Sequence, residues 1–133
     1  MQVWDYVKAL ITGFAVLALN LLTLVALVFG YSLFIAPGRP PEFYTELAPR
    51  LGAYSGPIAG AVLMFIFIWL LSRCRPQRNA TAFAAATFAS YATLDIALGL
   101  AASTPAQLFT PTFALSLAGV CAAAFIAAHL ANR

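Results

Sequence analysis

Charge is what this sequence has least of. Seven Lys or Arg and four Asp or Glu make up 8% of 133 residues, while 63% are hydrophobic. A soluble domain carries about 25% charged and roughly 45–50% apolar residues. So few charges cannot cover a water-facing surface, which excludes a soluble globular fold. Disorder is excluded for the opposite reason, since it needs low hydrophobicity and high charge.

Cysteine and histidine are equally scarce. Cys74 and Cys121 are the two cysteines and His129 the one histidine. Two cysteines make no disulfide framework, and no Cys or His pair has metal-ligand spacing. His129 lies near the end of a span, where it suits the helix dipole and cannot by itself supply a bis-His haem site. The expectation is no metal and no cofactor. The formal net charge of +3 is no nucleic-acid footprint either, because only Arg73, Arg75 and Arg78 cluster.

What is present is long apolar runs. A membrane helix needs about 20 apolar residues, and four segments qualify: about 7–36, 53–72, 80–102 and 111–131. The first is too long for the apolar core of a cleaved signal, about 7–15 residues, and reads as a retained span that tilts or projects. Pro37, Gly38, Pro40 and Pro41 stop it. Pro57 is placed in the opening turns of the second span. Asn79 and Thr110 are N-cap candidates for the third and fourth, with Pro111 at a first helical position. The expected fold is an all-α integral membrane protein: a four-transmembrane-helix bundle occupying 1–133 as one transmembrane domain. Its outer loop, 37–52, contains a possible short interfacial helix over 41–48.

Arg73, Arg75 and Arg78 sit in the short link between spans two and three. The positive-inside rule places that link in the cytoplasm, and the three arginines serve as topology anchors. By alternation both termini are cytoplasmic, with Lys8 and Arg133 inside. Arg39 and Arg50 fall outside, beside Glu42 and Glu46. Trp4, Tyr6 and Trp69 fall near the inner interface, and Tyr31, Phe34, Tyr44, Tyr54 and Phe109 near the outer one. The Ala, Leu and Arg bias points to the inner membrane of a high-GC bacterium.

Helices in lipid associate through small residues. Gly52, Gly56 and Gly60 repeat every four positions on span two. Ala85, Ala89, Thr93, Ala97 and Ala101 do so on span three, and Gly119, Ala123 and Ala127 on span four. The simplest use is internal, with spans three and four a tight hairpin and span two packed on it. The other use is contact with a second copy or a partner.

Asp95 is the residue that costs the protein something. A charged Asp at a helix centre costs about 2.5–3.5 kcal/mol on insertion scales and is a functional hypothesis by default. At 1.5 Å per residue it lies roughly 25 Å from Arg78. Tyr91 and Thr87 precede it on the same face at four-residue steps. Asn20 and Thr23 of span one and Ser116 of span four reach a similar depth. A polar layer of Asn20, Thr23, Thr87, Tyr91, Asp95 and Ser116 is therefore expected. It serves as a proton or cation site, as a set of register-fixing hydrogen bonds, or as the receptor for a partner's Arg or Lys.

No GxSxG, HExxH, CxxC or phosphate-loop pattern occurs, so no enzyme is expected. In size and span count the chain resembles small bacterial four-span proteins such as the small multidrug exporters. Those carry their buried acid in the first span, whereas here it is Asp95 in the third, so the likeness is one of layout. The reading is a non-enzymatic membrane protein acting by association, as accessory subunit or homo-oligomer, with the lipid bilayer as its surroundings. The alternative is a small proton- or cation-coupled transporter using Asp95.

Overall fold

The computed structural model describes residues 2–103 and 105–133. The described chain is helical: α1 (Val3–Phe34), α2 (Pro41–Arg73), α3 (Ala80–Ala102), the single turn α4 (Pro105–Leu108) and α5 (Pro111–Ala131). All but α4 are long and apolar enough to cross a membrane, so this is a multi-pass membrane protein.

Local chemistry sets the helix ends. Asp5 accepts a hydrogen bond from the Gln2 backbone N–H at 3.1 Å, placing an acid at the positive end of the α1 dipole. α1 therefore begins at Val3, ahead of the expected Val7. It stops at Phe34, where the N–H groups of Ile35 and Ala36 both bond the Tyr31 carbonyl, and Gly38 turns the chain at φ +75°. Asn79 caps α3 by accepting from the Ala82 N–H at 3.0 Å, and Thr110 caps α5 by accepting from the Phe113 N–H at 3.3 Å.

The main departure from the sequence reading is α2. The expected loop over 37–52 shrinks to 35–40, and the short helix expected over 41–48 is the opening of one continuous 33-residue helix. Pro49 and Pro57 lie inside it. Proline costs an interior hydrogen bond, but membrane helices tolerate it where neighbours re-satisfy the freed groups. Pro57 is thus mid-helix, not in an opening turn. Tyr44 donates its hydroxyl to the Ala36 carbonyl at 2.6 Å, tying the connection to the helix that follows. Thr104, in the expected loop before the last span, lies outside the described residues.

α1 packs on α2 and α3, and α5 packs on the same two, so the bundle runs α1, α2, α5, α3 around its axis. The most extensive contact is α2 with α5, not the expected hairpin of the third and fourth spans. α1 and α3 approach closely at Gly13. A Cβ built on Gly13 would lie 2.7 Å from Ser90 Oγ and 2.9 Å from the Thr87 carbonyl oxygen. Ser90 donates across this contact to the Leu10 carbonyl at 3.2 Å.

The core occupies only the half of the bundle that carries the Arg73–Arg78 link, the arginine end. Ala9, Val16 and Leu17 meet Met64 and Ile68, Phe83, Ala84 and Tyr91, and Val120, Ala124 and Ala127 there. Beyond Leu17 on α1, before Gly60 on α2, beyond Tyr91 on α3 and before Val120 on α5, no described residue is buried. The far half is therefore without a buried core among the described residues. There α1 and α2, about ten residues longer than α3 and α5, run on as a two-helix extension.

The small-residue stripes divide along the same line. Gly60 is buried between helices, and Gly52 meets Leu24. Gly56 and Gly119 have nothing within 4 Å of a built Cβ. Ala123 is half-buried and Ala127 buried. The α3 stripe of Ala85, Ala89, Thr93, Ala97 and Ala101 is exposed throughout, because α3 turns Phe83, Ala84, Thr87 and Tyr91 inward instead.

Candidate functional site

Where the core ends, a cavity of about 420 Å³ opens toward the far end. Four of the six expected polar residues, Asn20, Tyr91, Asp95 and Ser116, line it. Thr87 and Thr23 do not. Thr87 is buried and donates to the Phe83 carbonyl at 2.8 Å, and Thr23 donates to the Leu19 carbonyl at 2.8 Å. Both hydroxyls satisfy themselves on the preceding turn, a habit of mid-helix Thr.

Tyr91 forms the floor, only 1% exposed. Asn20 Nδ2 donates to its hydroxyl at 3.3 Å. Gly60 makes the meeting possible. A Cβ there would stand 3.2 Å from both Asn20 Nδ2 and the Tyr91 hydroxyl, and 3.3 Å from Val120 Cγ2. Asn20 Oδ1 is buried with no hydrogen-bond partner among the described residues.

The walls add acceptors outside the expected polar layer. Ser103, Thr110 and Thr112 line the cavity, as do Ala53 and Pro57. Pro57 has no N–H to offer the Ala53 carbonyl one turn back, so a backbone acceptor is freed at the wall. Asp95 is the one charged residue among the described lining residues, and no described base forms an ion pair with it. One carboxylate among hydroxyls, an amide and a freed carbonyl forms a donor set for a proton or a small cation.

A second polar centre lies at the arginine end. Arg78 Nε donates to Asp5 Oδ1 at 2.9 Å, and Arg75 Nη1 stands 3.9 Å from the same oxygen. The Arg78 guanidinium lies over the Phe83 ring, 4.2 Å from its centroid. Of the three expected anchors, Arg73 and Arg75 are exposed, with Arg73 over Trp69. Arg78 is instead folded into the bundle. Asp5 draws it there, and Asp5 was not among the expected site residues. The available signal was that Asp5 is the acid on the side of the alternation where the arginines cluster. Comparison of the chain with protein-family models, with curated proteins and with solved structures gives no match.

Proposed function

We propose that this chain works by association within the membrane, as an accessory subunit or a small homo-oligomer, without enzymatic activity of its own. The observation that supports this reading is the α3 face of Ala85, Ala89, Thr93, Ala97 and Ala101. Small residues at four-residue spacing let helix backbones approach closely, and here that face is uncovered along its length. The open far half of the bundle adds apolar surface, including Val25, Phe29 and Leu115. In this proposal the Arg73–Arg78 link and both termini are cytoplasmic, by the positive-inside rule, in a bacterial inner membrane. Neither nucleic acid nor a cofactor has a role.

Native mass spectrometry after gentle extraction from the host membrane tests the reading. A complex with a different protein, or a defined homo-oligomer, is the expected result. A strictly monomeric chain overturns it.

The cavity favours a second reading, a small proton- or cation-coupled transporter. Asp95 with no described base beside it, and Asn20 Oδ1 left without a partner, are the observations behind it. Flux in liposomes, with Asp95→Asn as control, is its test.

A further inference from the structure

We infer that the basic cleft at the arginine end binds a phosphate-bearing anion, with Arg78, Arg75 and Lys8 as donors. Two cavities meet there and share Cys74, Arg75 and Arg78. One, of about 470 Å³, reaches Gln2 and Asp5, and the other, of about 370 Å³, reaches Lys8, Thr12, Ile11 and Leu71.

Arg78 is the buried cation of the cleft. Its side chain is 3% exposed, and its Nη1 is buried with no hydrogen-bond partner among the described residues. A guanidinium has only donors, and a buried charged donor left without an acceptor is costly. Asp5 does not reach Nη1. Its Oδ1 already accepts from Arg78 Nε and its Oδ2 from the Gln2 backbone N–H. Arg75 reaches it only at 3.9 Å, and Lys8 forms no ion pair among the described residues. One carboxylate therefore faces three cations.

A tetrahedral oxyanion supplies what is missing, in charge and in acceptor geometry. The guanidinium fork matches phosphate oxygens in two-point contacts. The smaller cavity also has an apolar wall of Leu71 and Ile11, the latter 58% exposed. That wall suits an anionic lipid, with the headgroup among the bases and a chain along Ile11. Basic pockets between membrane helices hold such headgroups. A soluble phosphate ester offers the same oxygens without the chain. The inference is independent of Asp95 and of the association reading.

The test uses the whole chain, delipidated in a non-ionic detergent and titrated by native mass spectrometry. The probes are dioleoylphosphatidylglycerol, dioleoylphosphatidylcholine and glycerol 3-phosphate. The phosphatidylglycerol is expected to bind one per chain, about tenfold tighter than the phosphatidylcholine, the scale of one charge-assisted contact. Arg75→Gln and Lys8→Gln should each weaken it roughly three- to tenfold, while Arg39→Gln at the far end leaves it unchanged. Arg78→Gln also breaks the pair with Asp5, so the first two variants carry the decision. Competition by glycerol 3-phosphate identifies a soluble ester as the ligand, and failure to compete identifies a lipid headgroup. Either outcome upholds the anion site. Equal binding of the two lipids with no glycerol 3-phosphate binding overturns it. So does binding that Arg75→Gln and Lys8→Gln leave intact, or that Arg39→Gln weakens equally.

Discussion

Asp5 Oδ1 accepts from Arg78 Nε at 2.9 Å, joining the first turn of α1 to the α2–α3 link across 73 positions. The pair closes the end of the bundle that holds the buried core. Removing one partner of such a pair leaves the other charge uncompensated, whereas removing both can be nearly neutral. Asp5→Asn should therefore lower the thermal midpoint in detergent. Asp5→Asn combined with Arg78→Gln should recover part of the loss. A double-mutant cycle checks this, and strictly additive losses would show that the pair is not coupled.

The four spans were legible in the sequence because apolar length alone decides them, and Asn79 and Thr110 were legible as caps because capping is local. The course of α2 was not. Pro37, Pro40 and Pro41 read as stop signals and Pro57 as an opening-turn residue, yet α2 starts at Pro41 and runs through Pro49 and Pro57. The carbonyls that those prolines leave free border an open cavity or the surface, a tertiary condition that no short window contains. The α3 stripe failed for a related reason. In a helix this rich in alanine, several faces look equally small. Phe83, Thr87 and Tyr91 chose the inward face through the shapes of α1 and α5. Asn20, Tyr91, Asp95 and Ser116 were found by depth along their helices. Thr23 and Thr87 share that depth, but their hydroxyls turn back on their own helices.

Glycine substitutions should separate close approach from open space. Gly13→Ala pushes a methyl group against Ser90 and the Thr87 carbonyl, and overpacking of this kind costs about 1–3 kcal/mol. Gly60→Ala should also destabilise, because the new Cβ crowds Asn20 Nδ2 and the Tyr91 hydroxyl. Gly56→Ala meets nothing within 4 Å and should be neutral, or stabilise by up to about 1 kcal/mol through helix propensity. Reversible unfolding in mixed micelles gives all three values. A Gly13→Ala variant as stable as Gly56→Ala would contradict the close α1–α3 crossing.

The Asn20–Tyr91 hydrogen bond should contribute little to stability. Side-chain hydrogen bonds between membrane helices average about 0.6 kcal/mol, with a maximum near 1.7. Tyr91→Phe keeps the ring and removes only the acceptor, so a loss of about 0.6 kcal/mol is expected. Its pairing with Asn20→Ala in a mutant cycle should yield a coupling of the same size. A loss well above 2 kcal/mol would mean that the hydroxyl holds more than Asn20.

The α3 face gives the association reading its own mutational test. Ala89→Leu and Thr93→Leu place large side chains where the chain itself leaves the surface open. Monomer stability should change by less than about 0.5 kcal/mol, as for other surface positions. An oligomer or complex packed through this stripe should lose affinity by about tenfold or more, as backbone approach is blocked. Förster transfer between labelled chains in liposomes reads the homo-oligomer, and co-purification reads a partner. Unchanged assembly in both variants would remove α3 as the contact.

Asp95 separates the two functional readings, because the same substitution acts on different observables. Keeping an acid within a span costs about 2.5–3.5 kcal/mol on insertion scales, so Asp95→Asn should insert at least as well as the parent chain. The cavity shape is preserved, since the carboxamide is nearly isosteric, and the one charge among its described lining residues is gone. If the cavity moves a proton or cation, coupled flux in liposomes should fall to background while assembly is intact. If a partner's Arg or Lys reaches into the cavity, the complex should weaken severalfold while the isolated chain stays folded. Asp95→Glu should restore function in the first case, because the charge returns, and only partly in the second, because the longer side chain displaces the incoming cation. If Asp95→Asn leaves both flux and assembly unchanged, Asp95 belongs to neither activity.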